Sequence, residues 1–129
     1  MAICYTRYGR CEEVNASNIE EVMSGLLDEL REEKLDEPDD EHTQVSIGDE
    51  HWAVSAQVSG LVTFDNIDLL EGLPSDLPET MYLRNLPDES LKTIWRAIVN
   101  SNRDALLAYP WATAEQVGPF EKEYYRSAR

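Results

Sequence analysis

At 129 residues and 42% hydrophobic content, the chain is long enough for one domain with its own core, which excludes global disorder. Its 26 Asp and Glu residues against 11 Lys and Arg give a net charge of −15, which argues against nucleic-acid and anionic-membrane ligands. There is no apolar run near the ~18 residues of a membrane span, and Met1–Arg7 is too short and polar for a secretory signal. We therefore expect a single-domain cytoplasmic protein over residues 1–129.

The first predicted elements are a strand and an amphipathic helix. Residues 2–14 are rich in strand formers, and Gly9 indicates a bulge or a short hairpin. Ser17 and Glu20 have capping-box spacing, which predicts that Ser17 is the N-cap of the helix. We expect Gly25 to let this helix pack closely on a sheet. Its apolar stripe consists of Ile19, Val22, Met23, Leu26, Leu27 and Leu30.

An acidic segment follows the helix. Pro38 ends any helix, and the dense like charge over residues 31–42 predicts an exposed loop. Residues 12–50 contain fifteen Asp and Glu but only two basic residues, Arg31 and Lys34. The negative electrostatic field of such a segment accelerates its encounter with basic proteins. An acidic surface can also have no role other than to keep the protein soluble.

Residues 45–64 predict an antiparallel meander of three strands. Residues 45–47 and 51–58 alternate between apolar and polar residues, and 61–64 resume the strand pattern after Gly60. Trp52, Val54, Ala56 and Val58 share one face. Residues 65–80 contain Gly72, Pro74 and Pro78 and predict a connecting loop, and residues 81–84 predict a last strand.

The second half adds a helix that begins near Pro87 and Asp88. A short helix over residues 104–109 precedes Pro110, and aromatic residues near the end indicate that the tail docks. The order of strand, helix, meander and helix predicts an α+β fold, a mostly antiparallel sheet with helices packed on one face. The buried stripe of the second helix consists of Leu91, Ile94, Trp95, Ile98 and Val99.

Catalytic and metal-binding patterns are missing from the sequence. Cys4 and Cys11 lack a zinc spacing and are expected to be reduced thiols in or beside a strand. Pairing of either thiol with His51 would require a nucleophile motif that neither has. Glycine-rich phosphate loops and the EF-hand spacing are absent. We therefore expect no catalytic residues, no cofactor and no metal, and a protein that acts by binding.

The strand at Ile3–Tyr8, the helix at Ser17–Leu30 and the meander at Val45–Phe64 form a pattern that covers about half of the chain. This pattern, with a Ser-x-Gly turn at Ser46 to Gly48, resembles small α+β immunity proteins of bacterial polymorphic-toxin systems. The resemblance implies an acidic protein that neutralises a toxin of the same or neighbouring cells. The toxin is often a nuclease or a deaminase, and the immunity protein occludes its active surface.

The charge pattern predicts the same kind of partner independently, because enzymes that bind phosphates have electropositive sites. A carboxylate-rich inhibitor can take the place of the anion, as in the barnase–barstar pair. The predicted interface consists of Glu29, Glu32, Glu33, Asp36, Asp39, Asp40 and Glu41.

Two alternatives remain open at this point. An acidic DNA mimic or anti-defence protein of phage type would present carboxylates in two rows spaced like backbone phosphates. A small hydrolase or ligand-binding domain would depend on a pocket that no motif signals. The oligomeric state is left open as well.

Overall fold

The computed structural model of the chain describes residues 2–6, 11–30, 44–57, 60–84 and 86–113. The strands are β1 (Ala2–Tyr5), β2 (Cys11–Val14), β3 (Gln44–Gly48), β4 (Trp52–Gln57), β5 (Leu61–Asn66) and β6 (Thr80–Arg84). The helices are α1 (Ile19–Leu30), α2 (Ile67–Leu70), α3 (Asp88–Val99) and α4 (Arg103–Leu106). The predicted exposed loop over residues 31–42 and the predicted docking of the tail lie outside the described residues.

The six strands form one antiparallel sheet in the order β2-β1-β3-β4-β5-β6. A segment after α4 extends the β6 edge, because Tyr82 and Ala112 exchange two backbone hydrogen bonds of 2.8 Å. The predicted α+β class is confirmed, and so are the opening hairpin and the three-stranded meander.

The core lies between one face of this sheet and the two long helices. Alternate residues of the central strands, such as Ile47, Val54 and Phe64, are fully buried on this face. Met23 from α1 and Trp95 from α3 are fully buried against them, in the same hydrophobic cluster. The residues that alternate along the strands and those that recur every three to four positions along the helices therefore pack together in one core.

The start of α1 differs from the prediction. Asn15, not Ser17, is the capping residue, because its Oδ1 accepts hydrogen bonds from the backbone N–H groups of Ser17 (2.8 Å) and Asn18 (3.2 Å). Asn18 Oδ1 in turn accepts from Asn15 N–H at 2.8 Å. This is a reciprocal capping box that begins two residues earlier, with asparagine in both positions. Glu20, the predicted partner of Ser17, binds an arginine on α3 instead.

Two further expectations are wrong. The predicted Ser-x-Gly turn over Ser46 to Gly48 is part of strand β3. Gly48 is needed there because a Cβ at this position would lie 2.6 Å from the Cβ of Ala53 on β4. Gly25 does not pack closely on the sheet, because no heavy atom lies within 4 Å of the position that its Cβ would occupy.

Replacement of Trp95 by alanine is expected to lower the free energy of unfolding by about 3–5 kcal/mol, because it empties a fully buried site. Urea denaturation gives the difference. Thr93→Ala on the exposed side of α3 is the control and should change stability by only about 0.5 kcal/mol. Equal stability of the two variants would remove Trp95 from the core.

Gly25→Ala is expected to raise the free energy of unfolding by about 1 kcal/mol, because alanine has the higher helix propensity and the added methyl group meets open space. Gly48→Ala is the matched substitution and should destabilise the protein, since its Cβ would collide with Ala53. Thermal and urea unfolding of both variants check the two opposite signs. A loss of stability in Gly25→Ala would contradict the exposure of this helix face.

Candidate functional site

Only one residue of the predicted acidic interface lies in the described part of the chain. Glu29 is half-buried near the end of α1, and this residue is not free of partners. The other six predicted residues are Glu32, Glu33, Asp36, Asp39, Asp40 and Glu41, and they lie outside the described residues. The candidate site consists of carboxylates in the described part of the chain.

The basic residues of the described segments lie in the second half of the chain and are engaged internally. Arg103 Nη2 donates to Asp76 Oδ2 at 2.6 Å, and Lys92 Nζ lies 3.6 Å from Glu89 Oε1. Arg96 pairs with a carboxylate on α1, and Arg84 on β6 has interactions of its own. These segments contain sixteen Asp and Glu against these four basic residues.

The outer surface of α1 forms what we call the acidic face, defined by Glu21 and Asp28. Both residues are exposed, and they are seven positions apart on the same side of α1. Asn18 Nδ2 donates to the backbone carbonyl of Glu13 at 2.9 Å, which holds the end of β2 against the start of α1. Within the described segments, no Lys or Arg forms an ion pair with Glu21 or Asp28.

A bidentate ion pair joins the start of α1 to α3 beside this face. Arg96 Nε and Nη2 donate to the two carboxylate oxygens of Glu20, each at 2.8 Å. These hydrogen bonds from Arg96 hold the pKa of Glu20 below its ordinary value. A carboxylate whose pKa is lower in the folded state stabilises that state at pH values above its ordinary pKa, which is 4.5 for Glu20. The stabilisation by the Glu20–Arg96 ion pair, here called the clamp, is therefore present at neutral pH. It is lost as the pH falls through the folded pKa. The clamp holds the first turn of α1 against α3 and leaves the acidic face outward.

The sheet face opposite the helices carries a second carboxylate of interest. Strand register places Asp65 beside Ala53 on β4 and Thr80 on β6. Burial raises the pKa of this carboxyl group above its ordinary value, so its ionised form opposes folding at neutral pH. Nothing else in the surrounding strands points to a ligand there, so Asp65 is not included in the candidate site.

His51 and Asp68 form the one described contact that resembles an acid–base pair. His51 Nδ1 lies 2.9 Å from Asp68 Oδ1, and the His51 side chain is 57% exposed. No described hydroxyl or thiol group hydrogen-bonds to the other ring nitrogen. The thiol of Cys4 lies in the core, where this residue is only 2% exposed. The contact instead ties the turn between β3 and β4 to α2, together with a backbone bond from Ile67 N–H to His51 O at 2.8 Å.

The described segments contain neither a metal centre nor a membrane-spanning helix. No group of three or more His, Cys, Asp and Glu side chains there is arranged to hold a metal ion. None of the helices found there has the length and apolar character needed to span a membrane.

Comparison of the chain with models of protein families, with curated proteins and with solved structures finds no match. Sequence reasoning missed two features, the His51–Asp68 contact and the exposed leucines Leu70 and Leu73. The leucines leave a signal in the sequence, because they are large apolar residues in a loop with Gly72 and Pro74 that offers no periodic pattern to bury them.

The hydrogen bond that Asp68 accepts from His51 raises the pKa of His51 above its ordinary 6.5. The contact therefore stabilises the fold below pH 6.5, and this stabilisation is lost as the pH rises through the folded pKa. We expect the difference in unfolding free energy between wild type and Asp68→Asn to shrink over that range, and the NMR-detected pKa of His51 to fall in the variant. Asp104→Asn, an exposed carboxylate on α4, controls for net charge. An unchanged His51 pKa in Asp68→Asn would contradict the contact.

Proposed function

We propose that the protein is an inhibitor of immunity type that binds a basic toxin enzyme, a nuclease or a deaminase, and occludes its active surface. The observation that supports this most is the division of charge. The described basic side chains are engaged internally, and the acidic face of α1 is left without cationic partners in the described segments. The adjoining segment 31–42 adds further carboxylates in the sequence.

An enzyme that acts on nucleic acids attracts phosphates with clustered Lys and Arg. Carboxylates on a fixed helix can take the place of those phosphates, and their clustered field raises the rate of encounter. The capping box at Asn15 and the Glu20–Arg96 clamp hold α1 in place before any partner arrives. A pre-ordered helix loses little conformational entropy on binding, which favours it as one side of an interface.

A growth-rescue screen tests the proposal. Cells that produce individual nuclease or deaminase toxin domains are supplied with this chain, and we expect it to restore growth against one domain or a few closely related ones. A chain that restores growth against none would contradict the proposal. Inhibition of several unrelated DNA-binding proteins would favour the DNA mimic instead, and turnover of a small substrate that requires His51 would favour an enzyme.

Association with the rescued toxin should be electrostatically steered. Clustered carboxylates act together within the Debye length of about 8 Å at physiological salt. Raising the ionic strength should therefore slow the association rate constant about tenfold or more while the dissociation rate constant changes little. Stopped-flow association from low to high salt measures both. A flat salt dependence would mean that the acidic surface serves only solubility.

Charge-neutral variants locate the steering surface. Glu21→Gln with Asp28→Asn should reduce the salt dependence more than Glu89→Gln with Asp104→Asn, a pair on α3 and α4 that removes the same net charge. Equal effects of the two pairs would show that net charge acts and the acidic face does not. A further variant tests the predicted loop by replacing its carboxylates with amides at Glu32, Glu33, Asp36, Asp39 and Asp40.

A further inference from the structure

Large apolar side chains are exposed at three places in the described segments. Tyr5 on β1 is 46% exposed, Leu70 at the end of α2 is 56% exposed, and Leu73 in the loop that follows is 49% exposed. Leu70 and Leu73 are absent from the described side chains that pack against the core, whereas Leu77 of the same loop is among them. The fold therefore gains no core packing from these two leucines.

The segment that presents the leucines is held by hydrogen bonds. Leu73 N–H donates to Asp68 O at 2.7 Å and Gly72 N–H donates to Leu69 O at 3.1 Å, which closes the turn after α2. Gly72 has a φ of +80°, a conformation that side-chain-bearing residues rarely adopt. Two exposed leucines are thus fixed on a turn whose backbone is already ordered.

A buried asparagine anchors the rest of the loop. Asn66 is fully buried, and its Nδ2 donates to Ser75 Oγ at 2.9 Å and to Leu77 O at 3.1 Å. Its backbone N–H donates to Glu79 O at 2.8 Å. The ion pair between Arg103 and Asp76 ties the outer side of the loop to α4. A surface ordered in this way loses little entropy when a partner covers it.

The charges around the leucines are acidic. Glu71 and Glu79 are exposed, and no Lys or Arg of the described segments pairs with either of them. A second copy of the chain would bring the same carboxylates together in a two-fold interface, which like charge opposes. The complementary occupant combines an apolar surface with surrounding Lys or Arg.

We infer that Leu70 and Leu73 are the apolar anchor of a docking surface for a basic protein, with Glu71 and Glu79 as its acidic rim. Fixed apolar side chains surrounded by charge are the usual arrangement of an interface centre and its rim. The inference deepens the proposed function: the acidic face would govern the rate of encounter, and the leucines would govern the lifetime of the complex. The chemistry of the docking surface can nevertheless be tested without the toxin.

The probe is a short synthetic amphipathic helix of leucine and lysine, titrated into the full chain and followed by ¹H–¹⁵N NMR. We expect chemical-shift changes centred on residues 67–79, and dissociation constants about tenfold higher or more for Leu70→Ser with Leu73→Ser. The double variant keeps the net charge, and its exposed positions should leave the unfolding midpoint unchanged. A peptide with serine in place of leucine but the same lysines should bind weakly and without this focus.

Tyr5→Ser is the matched control, because it removes the third exposed apolar side chain from a different surface. It should leave the dissociation constant unchanged. Equal affinity of the double leucine variant and wild type, no binding of the leucine–lysine helix, or shift changes centred on Tyr5 would each overturn the inference. A dimer of the free protein that the double leucine variant abolishes, seen by sedimentation, would overturn it in favour of a second copy.

The two proposals can fail separately. If the chain rescues no toxin domain but the leucine–lysine helix binds at residues 67–79, the docking surface stands and the toxin-inhibitor function falls. If the chain rescues a toxin domain and the leucine variants leave its dissociation rate constant unchanged, the inhibitor function stands and the anchor falls.

Discussion

The indole of Trp95 is the contact on which the rest of the arrangement depends. It is fully buried, and its Nε1 donates to the carbonyl of Val54 in the middle of the sheet at 2.9 Å. This bond sets the rotation of α3 about its own axis. Successive helical residues are about 100° apart around the axis, so with Trp95 against the sheet, Arg96 is directed sideways to Glu20 on α1. The acidic face of α1 is turned outward by the burial of Met23 and Leu26, and the pair with Arg96 joins this orientation to that of α3.

Much of the fold could be predicted from the sequence because apolar periodicity reports directly on burial. Val54 and Ala56 alternate with polar neighbours, and Ile94, Trp95 and Ile98 recur at helical spacing. These two patterns predict the strand face and the helix face that are buried in the core. The start of α1 could not be read in the same way. Two asparagines satisfy the same backbone donors as the expected Ser and Glu, and sequence spacing alone did not decide between Asn15 and Ser17.

Contacts between residues distant in the chain were the other features that sequence reasoning did not find. The His51–Asp68 contact joins a β-turn to a helix across 17 positions, and Ala112 meets Tyr82 only because α3 and α4 carry the chain back to the sheet edge. Periodic patterns contain no information on such pairs. The exposure of Leu70 and Leu73 is different, because the sequence already shows them outside any periodic pattern, whereas the hydrogen bonds from Asn66 that hold their loop are not visible in it.

Carboxylates alone would contribute little to the affinity for a partner. An exposed ion pair contributes only about 0–1 kcal/mol, and physiological salt screens it further. Charge at an interface therefore acts mainly on the rate of encounter and on the choice of partner, whereas the lifetime of a complex depends on apolar side chains that become fully desolvated. In the proposed complex, the acidic face of α1 would act on the rate of encounter, and the turn that carries Leu70 and Leu73 would act on the lifetime. A binding protein needs both, and the division of these roles between two surfaces gives each a separate kinetic signature.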